Sequence, residues 1–114
     1  MTDKVFQKIF LESVDDAFSS LGESAKQAIY FHLETKFKIS RTDIPSHLDD
    51  FETGLEKIFG AGTRYLEILI MKKLYENLEP KKSLKWDEGK EFKFSDYVKT
   101  AESAFSKSGK KSRN

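Results

Sequence analysis

Two ionisable side chains, His32 and Glu67, fall on helix faces that are otherwise apolar. Glu67 shares its side of a helix with Met71, Leu74 and Leu78. A carboxylate in such a place is desolvated unless it is paired, and its affinity for a proton rises. His32 lies on one stripe with Ala25, Ala28, Ile29, Leu33 and Phe37. If the two helices pack together, His32 and Glu67 form an acid–base couple or a pH-sensitive joint. The plainer reading is that each side chain meets a hydroxyl, a backbone group or water, with Arg64, one turn from Glu67, as a further counter-charge. The plainer reading is the stronger, because purely structural pairs also perturb titration.

Other patterns with chemical content are weaker. Gly60-x-Gly62 before a helix could offer backbone amides to an anion, but no strand precedes it and no Gly-Lys-Ser/Thr follows. A tight turn between helices needs glycine just as much. The acidic pairs Asp15-Asp16 and Asp49-Asp50 lack the loop spacing of a calcium site and read as solvated helix surface. His32 and His47 lack the four-residue spacing that puts two metal ligands on one helix face. There is no cysteine, so neither a disulfide framework nor thiolate chemistry arises. The expectation is a chain with no catalytic residue, no metal and no cofactor. Lys81, Lys82, Lys85, Lys90, Lys93 and Lys99, interleaved with Trp86, Phe92 and Phe94, resemble a basic groove with stacking platforms for nucleic acid. Against this, the chain as a whole carries a net charge of only +1, and aromatics of this kind also anchor an arm to a core.

The elements that must position these residues follow from periodicity. The 114-residue length suits one domain with its own core. The spacing of Phe6, Ile9, Phe10, Val14, Ala17, Phe18 and Leu21 predicts a helix over 3–21, ended by Gly22. A second helix is expected over 23–37. Ser40 to Ile44 reads as a short turn stopped by Pro45. Ser46 is expected to cap a third helix with Leu48, Phe51, Leu55, Ile58 and Phe59 on its inner face. Gly54 sits inside that helix at a cost of about 1 kcal/mol, which close approach of a neighbour would explain.

Gly60 to Leu78 is apolar nearly all the way round in its first half, so several neighbours or a partner chain must bury it. Pro80 ends it. Beyond that point Leu84, Trp86, Phe92 and Phe94 alternate with polar residues, as a short hairpin or an extended arm. Ser95 is expected to cap a last helix over 96–105, and residues 106–114 to be a mobile basic tail. Residues 1–79 are acidic, at net −4, and residues 80–114 basic, at net +5. The domain plan is a helical body over 1–79, an arm and helix over 80–105 packed on it, and the tail. No run approaches the roughly 20 apolar residues of a membrane span. The N-terminus lacks a signal-peptide pattern. The expected location is the cytoplasm, with no membrane partner.

Several residues carry a family likeness. Val14-Asp15-Asp16-Ala17-Phe18, Ser20-Leu21-Gly22-Glu23-Ser24 and Ala28-Ile29-Tyr30-Phe31-His32-Leu33-Glu34 resemble the opening of an archaeal family, the Nitrosopumilus output domain. Ile44-Pro45, Phe51, Ile58-Phe59-Gly60-Ala61-Gly62 and Leu66-Glu67 resemble its second half. The likeness covers about residues 6–78. It implies an output module of signalling or regulatory proteins, with no catalytic residue to carry over.

The expected fold is all-α: a compact bundle of four main helices around a central apolar helix, with a C-terminal arm or hairpin and a terminal helix. Leu11, Phe31, Tyr65, Ile68 and Tyr75 are left over once the helix stripes are filled. Of these, Phe31, Tyr65, Ile68 and Tyr75 form the candidate surface for a protein partner or a second copy. The expected function is a non-enzymatic interaction or regulatory module, acting as a homodimer. The alternatives are nucleic-acid binding through residues 81–99, centred on Lys81, Lys82, Lys85, Trp86 and Lys93, and a small-molecule or enzymatic site between the second and fourth helices.

Overall fold

Phe6, Phe10, Val14, Ala17 and Phe18 repeat every three or four residues, and in the computed structural model, which describes residues 4–78 and 93–112, they form the buried face of the first helix. This is α1, Lys4–Ser19. It is followed by α2 (Glu23–Phe37), a 3-10 turn (Arg41–Ser46), α3 (Leu48–Phe59), a second 3-10 turn (Gly60–Gly62), α4 (Thr63–Leu78) and α5 (Phe94–Ser112). The chain is all-α, with no strand among the described residues. None of the helices is long and apolar enough to cross a membrane. Leu84, Trp86 and Phe92, read as an arm or hairpin, lie outside the described residues.

α1 packs against α2, α4, α5 and the first 3-10 turn, and α4 against α1, α3 and α5. The central place expected of α4 is therefore shared with α1. α4 buries Leu66, Glu67, Ile70, Met71 and Leu74, leaves Ile68 and Leu69 half-buried, and turns Tyr65 to water. A run of aromatic contacts ties the layers together. Tyr30 of α2 meets Phe18 of α1 at 5.3 Å between ring centroids, Phe18 meets Phe51 of α3 at 6.4 Å, and Phe51 meets Phe94 of α5 at 6.1 Å. Phe94 returns to Phe10 of α1 at 6.2 Å, and Phe6 meets Phe105 at 5.9 Å. Tilted rings at these separations are favourable beyond their area alone. Phe10, Phe18, Phe51 and Phe94 are fully buried, each contributing about 1.5–3 kcal/mol of burial free energy.

Several local expectations change. Phe94, read as a strand residue, opens α5, because burying its ring on Phe10 and Phe51 fixes the start of the helix there. Ser95 consequently lies inside the first turn, buried, instead of capping it. α5 continues to Ser112, through most of the stretch read as a tail. Pro45 does not stop the turn before it: the 3-10 segment runs on to Ser46, and His47, not Ser46, precedes α3. The Ile44 carbonyl accepts from the His47 N–H at 3.0 Å. That places Pro45 second in a four-residue turn, where its fixed φ is favourable and no N–H is needed. Leu11, set aside as off-face, is buried; Leu21 and Ala28, read as inward, are exposed.

Gly22 (φ +111°) and Gly60 (φ +58°) occupy backbone regions closed to most side chains. They break the chain between α1 and α2 and between α3 and α4. Lys38 takes the left-handed conformation at the end of α2 without being glycine, its N–H bonded to the Leu33 carbonyl.

The close approach expected at Gly54 is present. A Cβ there would stand 2.7 Å from Leu33 Cδ2 and 3.3 Å from the Phe37 ring. Overpacking of this kind costs about 1–3 kcal/mol, and the helix-propensity gain returns about 1. Gly54→Ala is therefore expected to lose about 1 kcal/mol, and Gly54→Val more, in urea denaturation; a gain from either would show that α2 and α3 have room to separate.

Candidate functional site

Glu67 is 7% exposed, within a helix face of Leu66, Ile70, Met71 and Leu74. The carboxylates whose charge acts on it, Glu52 and then Glu56, belong to α3 and not to α2. Burial first, and then the neighbouring carboxylates, push the Glu67 carboxyl up to about 8, while Arg64 pulls weakly the other way. Glu52 is also raised, again by burial first, with Asp49 and Glu56 adding to the rise and Lys93 and the Glu67 hydrogen bond opposing it. Two carboxyl groups in contact cannot both ionise cheaply. Glu67 is the more buried of the two, so it is the one that holds a proton the more tightly.

The His32–Glu67 couple does not form around this pair. α2 packs on α1 and α3, and His32 lies half-buried beside Phe31, the rings edge to face at 6.1 Å. The groups that act on Glu67 thus come from the third helix and not from the second. Sequence reading singled out Glu67 but missed Glu52, whose only signal was its place near Gly54 on the third helix.

Asp15 was read as solvated surface, and it is the centre of a second polar cluster. Arg41 Nη2 donates to Asp15 Oδ2 at 2.6 Å, Arg41 Nε to Oδ1 at 3.0 Å, and the Tyr30 hydroxyl to Oδ1 at 2.5 Å. Burial acts to raise the Asp15 carboxyl, but the Arg41 and Tyr30 hydrogen bonds outweigh it and hold the group below the ordinary aspartate value. Burial, then the bond to Asp15, raises the Tyr30 hydroxyl. The cluster ties α1 to α2 and to the first 3-10 turn. Two-point pairing of a guanidinium with a carboxylate fixes orientation as well as distance.

Smaller polar contacts complete the interior. Asn77 Nδ2 donates to Ser13 Oγ at 3.0 Å, and Ser13 in turn donates to the Ile9 carbonyl at 2.8 Å. Thr63 donates to the Leu55 carbonyl at 3.1 Å, which occupies an acceptor near the end of α3.

Asp49, Asp50, Pro45, His47 and Lys99 line an open groove of about 330 Å³. Its His47 Nδ1 and Asp50 Oδ2 stand 3.8 Å apart on exposed side chains. Such a polar, open trough lacks the enclosure that small-molecule sites have. Among the described residues no group of three or more His, Asp or Glu is arranged to hold a metal.

Of the surface residues, Phe31 and Tyr65 are 63% and 70% exposed, and Ile68 and Tyr75 are half-buried. Burial raises the Tyr75 hydroxyl, with Tyr97 of α5 adding to the rise. Lys81, Lys82, Lys85 and Trp86 lie outside the described residues. Lys93 is exposed just before α5.

Comparison with known proteins returns no match: no family model fits the chain, and no curated protein or solved structure is significantly similar to it.

Two outcomes follow from the polar clusters. Glu67 binds its proton more tightly folded than unfolded, so its contribution to stability is fully present below about pH 4.5 and is lost as pH rises to about 8. The slope reaches at most about 1.4 kcal/mol per pH unit. Glu67→Gln should flatten this decline in urea denaturation, and an unchanged slope would place the proton elsewhere. Asp15 has the opposite sign, with its stabilisation present above the ordinary carboxylate range and lost as pH falls through its lowered folded value. Asp15→Asn should cost about 1–2 kcal/mol at neutral pH, given that both partners are partly exposed. A thermal shift within error of zero would show the clamp to be dispensable.

Proposed function

We propose that this chain is a non-enzymatic interaction module of the regulatory, output-like kind that its resemblance to the archaeal family implies, and that it works as a homodimer through a helical surface bearing Phe31 and Tyr65. The observation that carries the reading is the contrast among its rings. Phe31 and Tyr65 stand in water, while every other described phenylalanine and tyrosine is buried or half-buried. Large rings left in solvent forgo a burial free energy that a partner surface can supply, and aromatic anchors carry much of the energy of protein interfaces. Ile68 and Tyr75, half-buried on the same helix as Tyr65, extend the apolar area.

A two-fold contact between identical surfaces is the commonest form of such an assembly. Neither ring is needed to hold the monomer together, so replacing either leaves the fold intact. This separates the role of the surface from the role of the core.

Sedimentation of the full chain across a wide concentration range should show a monomer–dimer equilibrium. Tyr65→Glu and Phe31→Glu should each weaken it about tenfold or more, as hot-spot residues do, with unchanged helical content. A monomer throughout the range, or a dimer indifferent to both substitutions, overturns the homodimer.

A further inference from the structure

We propose that two copies of this chain meet α4 against α4 in antiparallel order, along a seam of Tyr65, Ile68, Lys72 and Tyr75 whose ends are paired by Arg64 and Glu76. This rests on the homodimer proposed above and assigns that dimer its contact and its orientation.

The first support is the division of α4 into two faces. An α-helix turns once in 3.6 residues, so Leu66, Ile70, Met71 and Leu74 share the side that is buried in the bundle. Tyr65, Ile68, Lys72 and Tyr75 follow one another at spacings of three, four and three on the other side. That is the spacing with which one helix lies along another. Tyr65 is 70% exposed, Lys72 is exposed, and Ile68 and Tyr75 are half-buried. The seam covers about 15 Å of helix, close to three turns. A helix with apolar side chains on a second face needs a second neighbour.

The second is that the seam is its own complement when reversed. In a two-fold contact, residue i meets j and j meets i. Ile70 is equidistant in sequence from Tyr65 and Tyr75, from Ile68 and Lys72, and from Arg64 and Glu76. With the two-fold axis at that level, Tyr65 of one copy meets Tyr75 of the other, Ile68 meets Lys72, and Arg64 meets Glu76, each twice. Paired rings gain beyond their buried area, and a lysine stem covers apolar surface while its ammonium stays in water. Arg64 and Glu76 are both exposed, and neither is in an ion pair with another described residue.

The third is what charge excludes. In a parallel pair Arg64 would face Arg64, Lys72 would face Lys72 and Glu76 would face Glu76, so like charges would meet at each level. Complementary charge sets register and orientation more than it adds affinity. The mirrored order of rings and charges also selects a second copy as the occupant, since a foreign surface places no such demand on the sequence.

The test is sedimentation of the full chain at about 50 mM salt, where exposed charges are lightly screened. Arg64→Glu and Glu76→Arg each bring like charges together at both ends of the seam. Each should weaken the dimer about fivefold or more, and the double variant should return to within about twofold of the parent. The circular dichroism spectrum should not change, because both positions are exposed. Arg64 and Glu76 stand about 18 Å apart along one helix, so rescue reports a contact between copies. In a parallel pair neither single reversal would alter the balance, since like charges face each other before and after. A dimer that Tyr65→Glu weakens but that ignores both reversals, or that the double variant fails to rescue, overturns the antiparallel seam and leaves the homodimer standing. So does a dimer sensitive to Phe31→Glu alone. A chain that stays monomeric overturns both, and leaves this face of α4 to a different protein or to another part of the same chain.

Discussion

Phe18, Phe51 and Phe94 come from three different helices, and the whole arrangement depends on their meeting. Phe51 touches both of the others, at 6.4 and 6.1 Å between centroids, and all three are fully buried. Through Phe94 the contact passes to Phe10, and through Phe18 to Tyr30. Remove the middle ring and α3 loses its hold on α1 and α5 together. Leaving a cavity of that size in a close-packed core costs about 3–5 kcal/mol, a large share of what a small domain has. The polar contacts act on top of this base. Asp15, Tyr30 and Arg41 fix the angle at which the first 3-10 turn meets α1, but they do so at the rim, where solvent screens them.

Local grammar was readable from the residues. The bounds of α2 are those that its pattern gives, α1 and α4 differ by a few residues at their ends, and the break at Gly60 to Gly62 is where two glycines require it. Gly54 could be interpreted from the sequence alone, because a glycine inside a helix has a known cost and close approach is the common reason to bear it. Where the reading went astray, a tertiary contact had overruled a local signal. Phe94 alternates with Phe92 like a strand residue, yet two buried rings draw it into a helix. Pro45 is a helix breaker, yet it sits at the one place in a tight turn that suits it.

Partnerships between distant residues were not readable. Arg41 is twenty-six positions from Asp15, and nothing in the pattern of either stretch names the other. Charge runs are usually solvated, and Asp16 obeys that rule while Asp15, its neighbour, does not. Glu67 shows both sides of the limit. Its burial followed from its helix face. Its partner depended on which helix crossed α4 at that level, and periodicity holds no information about crossings. His32 was a reasonable partner by chemistry and the wrong one by topology, since α2 makes its main contacts with α1 and α3.

The identity of that partner changes the sign of the argument. A histidine beside Glu67 would stabilise the ionised carboxylate, and the contact would weaken in acid. A second glutamate stabilises the protonated form, so the contact weakens in base. Leucine or methionine at position 67 would continue the apolar face of α4 and remove the penalty altogether. A buried acid opposite another acid contradicts what binary patterning asks of that position. Such contradictions are expected where a site is strained or used. The same region combines a thin helix contact with a glycine link at positive φ, two further departures from what stability alone would choose. They fall in α3, α4 and the turn between them, in the same helix as Phe51, whose ring holds α3 to α1 and α5. Phe51 anchors α3 in the core, and its neighbour in sequence, Glu52, is the group whose charge acts on the buried Glu67.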